Sequence, residues 1–239
     1  MASVLKPIYL LADSQLLFWM KEGELFLDAI KQNIMSAAPK AAYIGASNRD
    51  NPDFYLIFKA AMNGIGIDNC RMILSTCPEE SRAYLAEADI ILLGGGDVER
   101  GWKTFQQNGL SELIVSRYFA GALLIGVSAG AVQLGWCGWG DGESSHAHLI
   151  DTFKLVTAIV SAHEEKEDWR GLKKAMQAVD NNLRGIGIPT GGGMIYHEDQ
   201  SIEPIRYPLV EFSIKENLIV QSLLIPSNGV AIQESEKVC

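Results

Sequence analysis

The stretch Ala122-Leu123-Leu124-Ile125-Gly126-Val127-Ser128-Ala129-Gly130-Ala131 decides the reading of this chain. Its apolar run suits a strand buried on both faces, and the residues after Gly130 have helical spacing. Between the two stands G-x-S-x-G. In that context the pattern reads as a nucleophile elbow, in which a tight turn strains the serine backbone and the flanking glycines remove Cβ atoms that would collide. The hydroxyl is then presented at the carboxyl edge of a sheet, beside a helix N-terminus that favours negative charge. The plainer reading is a glycine-rich turn with an incidental serine; the strand before it and the helix after it favour the elbow.

Outward from this point, short apolar runs at residues 7–11, 41–46, 71–74, 89–93 and 122–127 alternate with helical patterns at 22–36, 53–63, 79–86 and 109–119. Such repetition predicts an α/β three-layer sandwich around a mostly parallel central sheet. Past Ser128 come a Gly- and Trp-rich segment at 135–142, an apolar run at 155–160, an acidic helix over 164–181 and a tail of short strands. With no linker, repeat or low-complexity tract in between, one domain over residues 1–239 is expected.

The bulk properties agree. Of 239 residues, 48% are hydrophobic and 21% charged, so a large core needs neither metal nor disulfide staples. A net charge of −9 gives no general attraction to phosphate backbones or anionic lipid. The four cysteines (70, 77, 137 and 239) form no C-x-x-C pair and read as reduced thiols. Without a signal-peptide core or a bilayer-length apolar run, a cytoplasmic location is expected. The expected partner is a small peptide substrate, with neither nucleic acid nor membrane; a homodimer is allowed, and no cofactor is called for.

Gly94-Gly95-Gly96 ends the strand before the elbow, so its amides emerge at the same sheet edge as Ser128. Gly95 and Gly96, with the amide of Ala129, are the candidate oxyanion donors. A phosphate loop is the weaker reading, since no P-loop or dinucleotide pattern follows and Asp97 would repel phosphate. Among four histidines, His163 follows the run at 155–160 and is the first candidate for the base. His197 sits in the hairpin-like tail. His146 and His148, with Asp151, could ligate a metal, but this polar segment more plainly reads as solvated loop. Asp141, Glu143 and Asp151 are all available as the orienting acid.

Together the cluster Leu93-Gly94-Gly95-Gly96-Asp97, the elbow, a histidine 35 positions later and the strand Gly185-Ile186-Gly187-Ile188-Pro189 resemble the peptidase E and cyanophycinase family. The resemblance runs from about Lys6 to Ile225. It implies a serine peptidase on the class I glutamine amidotransferase-like (flavodoxin-like) fold, acting as a dipeptidase or cyanophycinase-like exopeptidase. Ser128 would be the nucleophile, His163 the base and Glu143 the acid, with Asp141 in reserve. Asp97 stands where that family usually has an amide, in the loop expected to face substrate.

Before His163 this chain reads Ser161-Ala162 rather than the Asp-Gln of cyanophycinases, which does not support β-aspartyl-arginine specificity. The family's dipeptidases bind an N-terminal aspartate, for which Arg100, Lys103, Arg170 and Arg206 are candidate cations. If instead the acidic run Glu164 to Asp168 faces the cleft, a basic substrate is favoured; as a first helical turn it would be solvated. The rivals are an α/β-hydrolase esterase with His197 as base, and a catalytically silent binding module.

Overall fold

The computed structural model describes residues 5–140, 148–179, 183–216 and 218–226. In chain order the elements are β1 (Ile8–Leu11), β2 (Met20–Lys21), β3 (Glu24–Leu25), α1 (Phe26–Lys31), β4 (Ala41–Ile44), α2 (Pro52–Gly64), β5 (Cys70–Ile73) and α3 (Glu79–Leu85). There follow β6 (Ile90–Leu93), α4 (Val98–Gln107), α5 (Leu110–Phe119), β7 (Leu123–Val127), α6 (Ala129–Leu134), β8 (Cys137–Gly140) and β9 (His148–Asp151). The last part holds β10 (Ala158–Ala162), α7 (Arg170–Ala178), β11 (Arg184–Ile188), β12 (Gly193–Tyr196), β13 (Ile202–Ile205), β14 (Leu209–Lys215) and β15 (Leu218–Leu224).

The main sheet has the order β13-β12-β1-β7-β6-β4-β5. Strands β1, β7, β6, β4 and β5 run parallel, and β12 and β13 close one side antiparallel. Alternation along each parallel strand feeds two separate cores, which is why the apolar runs are continuous. Leu10, Ile44, Leu93 and Leu124 face Trp102, Phe105, Ile114 and Leu134 of α4, α5 and α6. Tyr9, Tyr43, Leu92 and Ile125 face Leu27, Phe58 and Met62 of α1 and α2. This is the expected three-layer α/β sandwich.

A second sheet, β10-β11-β14-β15, lays Ala158, Val160 and Ile186 on the first of these cores and covers its other face with α7 through Ile159, Leu172, Ala175, Met176 and Phe212. Since β10 and β11 are parallel, with Ala162 opposite Ile188, their carboxyl ends emerge together.

Two helical expectations need correction, and one helix was not expected. The pattern over 22–36 is helical only in α1, because Glu22 and Gly23 take positive φ values of 54° and 91° and turn the β2–β3 hairpin. The acidic helix over 164–181 is broken: a 3₁₀ turn at Glu165–Glu167 is followed by Asp168 and Trp169 in the left-handed region before α7 begins. The break lets Trp169 bury its ring on β11, where a Cβ at Gly187 would come within 2.7 Å of it. Helix α4 was not anticipated; its apolar stripe is narrow, carried by Val98, Trp102 and Phe105.

Candidate active site

Ser128 follows β7 directly and precedes α6, with φ 51° and ψ −111°, a backbone conformation that L-residues rarely adopt. Close backbone packing imposes it. A Cβ at Gly130 would lie 2.2 Å from the Leu93 carbonyl oxygen, and one at Gly126 would lie 2.6 Å from the Gly130 backbone. Neither position admits a side chain, so the two glycines allow α6 to leave the sheet steeply enough to expose the hydroxyl.

Strands β6 and β7 pair with Leu93 opposite Gly126, which carries Gly95 alongside Ser128; a Cβ at Gly95 would stand 3.2 Å from Ser128 Cβ. Gly96, at φ 134°, lies against the Ser47 carbonyl. The loop is held from behind by Asn48, whose Nδ2 donates to the Gly95 carbonyl and to the Tyr43 hydroxyl, each at 2.8 Å. Among the described residues the amides of Gly95, Gly96 and Ala129 donate to no protein acceptor, leaving three N–H groups beside the serine.

His163 follows β10 at φ 47°, and its own amide donates to the Ile188 carbonyl at 2.8 Å. Its Nε2 is 2.7 Å from Ser128 Oγ. Two strained residues, one from each sheet, thus meet at the carboxyl edges of both.

The turn after His163 is built by carboxylates. Glu164 accepts from the Ser161 hydroxyl at 2.7 Å and from the amides of Gly171 and Leu172, capping the first turn of α7 from outside the helix. Glu165 accepts from the Thr190 amide at 3.2 Å and from its hydroxyl at 2.5 Å, tying the turn to the end of β11. Partial burial works against its charged form, yet these bonds and the nearby His163 hold its carboxyl below the usual carboxylate range. The Glu167 carboxylate is exposed and has no hydrogen-bond or ion-pair partner among the described residues.

A pocket of about 360 Å³ opens in front of Ser128 and His163. Gly96, Val98 and Ala129 line one side of it, Gly138 and Trp139 of β8 another, and Ile159, Ser161, Glu164, Glu167, Leu172 and Ala175 the rest.

The other sequence candidates fall elsewhere. Asp97 is the N-cap of α4, its Oδ1 accepting from the Arg100 amide at 2.7 Å, and it does not line the pocket. Glu143, Asp141 and His146 lie outside the described residues. Asp151 pairs with Lys154 at 2.8 Å, and His148 Nε2 is 3.5 Å from Glu99; among the described residues no group of three His, Cys, Asp or Glu could hold a metal. His197 follows Tyr196, which pairs with Ile8 at the amino end of β1, whereas Ser128 lies past its carboxyl end; about five residues of extended chain, roughly 16 Å, separate the two levels. His197 instead faces Glu203 at 3.3 Å, which removes the base that the esterase reading needs. None of Arg100, Lys103, Arg170 and Arg206 lines the pocket.

Asn48, Glu165 and Glu167 were not singled out by the sequence. Asn48 carried no local signal, while the two glutamates sat inside a run that reads equally well as a solvated helical turn.

Among the described residues no helix is long and apolar enough to cross a membrane. No curated protein sequence matches this chain. Among solved structures, a peptidase from an acI-B1 Actinobacterium superposes with a TM-score of 0.70 at 15% identity, covering 96% of this chain and 98% of its own. A putative peptidase E from Listeria monocytogenes EGD-e superposes with a TM-score of 0.54 at 16% identity, covering 92% and 99%. At such identities the likeness speaks for the fold. The sequence itself matches Peptidase family S51 over residues 10–204, most of its length, and the chain therefore belongs to that family of serine-type peptidases.

Proposed function

We propose that this enzyme hydrolyses small peptides through an acyl-enzyme formed on Ser128, as an exopeptidase of the dipeptidase kind. The observation that carries the reading is the 2.7 Å approach of Ser128 Oγ to His163 Nε2. With the ring proton on Nδ1, Nε2 accepts the serine proton as Oγ attacks the peptide carbonyl. The developing oxyanion is met by the amides of Gly95, Gly96 and Ala129, whose donors need no rearrangement. His163 then returns the proton to the leaving amine, and a water deprotonated by the same ring hydrolyses the acyl-serine. Neither step requires a cofactor.

Glu143 is the proposed orienting acid, on the strength of the family resemblance, with Asp141 in reserve. A second reading is favoured by a specific observation: the Glu165 carboxylate is held by Thr190 at the end of β11, in the same turn as His163, whose proximity helps to keep it below the usual carboxylate range. A serine-directed fluorophosphonate tests the nucleophile. It should label wild type at Ser128 and leave Ser128→Ala unlabelled, with turnover of a dipeptide panel reduced about a million-fold. Turnover by Ser128→Ala near that of wild type overturns the mechanism.

A further inference from the structure

Among the described residues, the pocket beside Ser128 combines apolar side chains at its far end with one carboxylate that has no partner. Along β10 alternate residues share a face, so Ile159 and Ser161 form a row that leads away from His163, which follows the strand. At its far end Ile159 meets Leu172 and Ala175 of α7. Two carboxylates line the space. Glu164 is engaged by the Ser161 hydroxyl and the first amides of α7. Glu167 has no such partner among the described residues, and it sits in the 3₁₀ turn that follows His163.

No lysine or arginine is among the described lining residues. Arg100 donates to the Ser47 carbonyl, Lys174 lies over the Trp139 ring at 5.5 Å, and neither Lys166 nor Arg170 is among the described lining residues. Residues 141–147, which link β8 to β9, contain no lysine or arginine in sequence. A carboxylate on the acyl residue of a substrate would therefore enter a pocket that has two carboxylates and no lysine or arginine among its described lining residues, at a desolvation cost that they do not offset.

The position of the charge selects the group it receives. In an acyl-enzyme the α-nitrogen of an N-terminal residue is two bonds from the carbonyl carbon attached to Ser128 Oγ, so it stays at the mouth of the pocket, while the side chain reaches inward. A lysine or arginine side chain would carry its cation toward Ile159, Leu172 and Ala175 instead. We infer that Glu167 is a specificity-determining residue that receives the free α-ammonium of the substrate, and that the pocket accepts an uncharged apolar N-terminal residue rather than an acidic one. This rests on the Ser128-centred reading of function.

The test compares leucine, aspartate and N-acetyl-leucine p-nitroanilides on wild type and Glu167→Gln, alongside fluorophosphonate labelling of both. In wild type the leucine substrate should exceed the other two in kcat/KM. One charge-assisted hydrogen bond corresponds to roughly 10- to 100-fold, so the ratio of free to acetylated leucine should fall by about that factor in Glu167→Gln, with labelling of Ser128 retained. If Ser128 is labelled but aspartate is preferred, or if the ratio is the same in both proteins, the inference is overturned while the serine mechanism stands. If wild type is not labelled and cleaves none of the three, both fall together.

Discussion

The two halves of the site are held by different kinds of force. On the side of the candidate nucleophile, Ser128, β7, α6 and the Gly94–Gly96 loop are fixed by backbone lying on backbone: the Leu93 carbonyl against Gly130, the Gly130 backbone against Gly126 and the Ser47 carbonyl against Gly96. On the side of the candidate base, His163, the turn from that residue to α7 is fixed by carboxylates binding distant hydroxyls and amides, Glu164 to Gly171 and Leu172, and Glu165 to Thr190. Steric fixation is indifferent to pH and tolerates no added atom. Fixation by carboxylates tolerates changes of size but depends on charge.

The largest expected effect separates candidate acids on the base side. Swapping an orienting carboxylate for its amide costs about ten-thousand-fold in turnover, so either Glu143→Gln or Glu165→Gln should show a loss of that order in kcat with little change in KM, and the other a much smaller one. Steady-state kinetics of both variants with Asp141→Asn decides among the three; a large loss in Asp141→Asn alone moves the acid to that position.

Next comes the steric half. Gly130→Ala places a methyl group 2.2 Å from the Leu93 carbonyl, and overpacking of this kind costs about 3 kcal/mol at the upper end of its usual range. For a chain of this length that is a fall in Tm of roughly 6 to 12 °C. Gly64→Ala, at the end of α2 with its nearest neighbour 3.8 Å away, should change stability by less than about 1 kcal/mol. Equal Tm values for the two variants would show that the backbone contact is not what fixes the elbow.

Removing the remote cap on the base side should cost less. Glu164→Ala leaves the amides of Gly171 and Leu172 without their acceptor, and loss of a helix cap typically costs about 1 kcal/mol. Because α7 forms one wall of the pocket, a rise in KM should accompany the lower Tm, whereas Gly64→Ala should leave KM alone.

The smallest effect concerns pH. Glu165 has a depressed folded-state pKa, so its contribution to stability is present above its unfolded value and is lost as pH falls through the folded one. Thermal melts of wild type and Glu165→Gln should differ at neutral pH and converge below the ordinary carboxylate range, roughly pH 4. A difference that persists unchanged at pH 3 would mean that the Thr190 bonds do not depend on the charge.

The same contrast explains what could be read from the linear chain. The continuous apolar runs of β1, β4, β6 and β7 declared a sheet covered on both faces, and Gly126 and Gly130 declared the tight turn at Ser128, because the contacts that demand those glycines lie within four residues of each other or on the adjacent strand. Spacing after the run at 155–160 was enough to put His163, rather than His197, at the sheet edge where Ser128 lies, since chain direction in a parallel sheet decides which edge a loop reaches. The acidic run from Glu164 to Asp168 was ambiguous by its nature, as a charged turn faces water or a cleft according to what packs beside it. Only the tertiary structure decided that: Trp169 docks on Gly187, the helix breaks, Glu165 finds Thr190 twenty-five residues away, and Glu167 comes to line the pocket. Local sterics are written in neighbouring residues, whereas the partner of a surface carboxylate depends on where a distant strand ends.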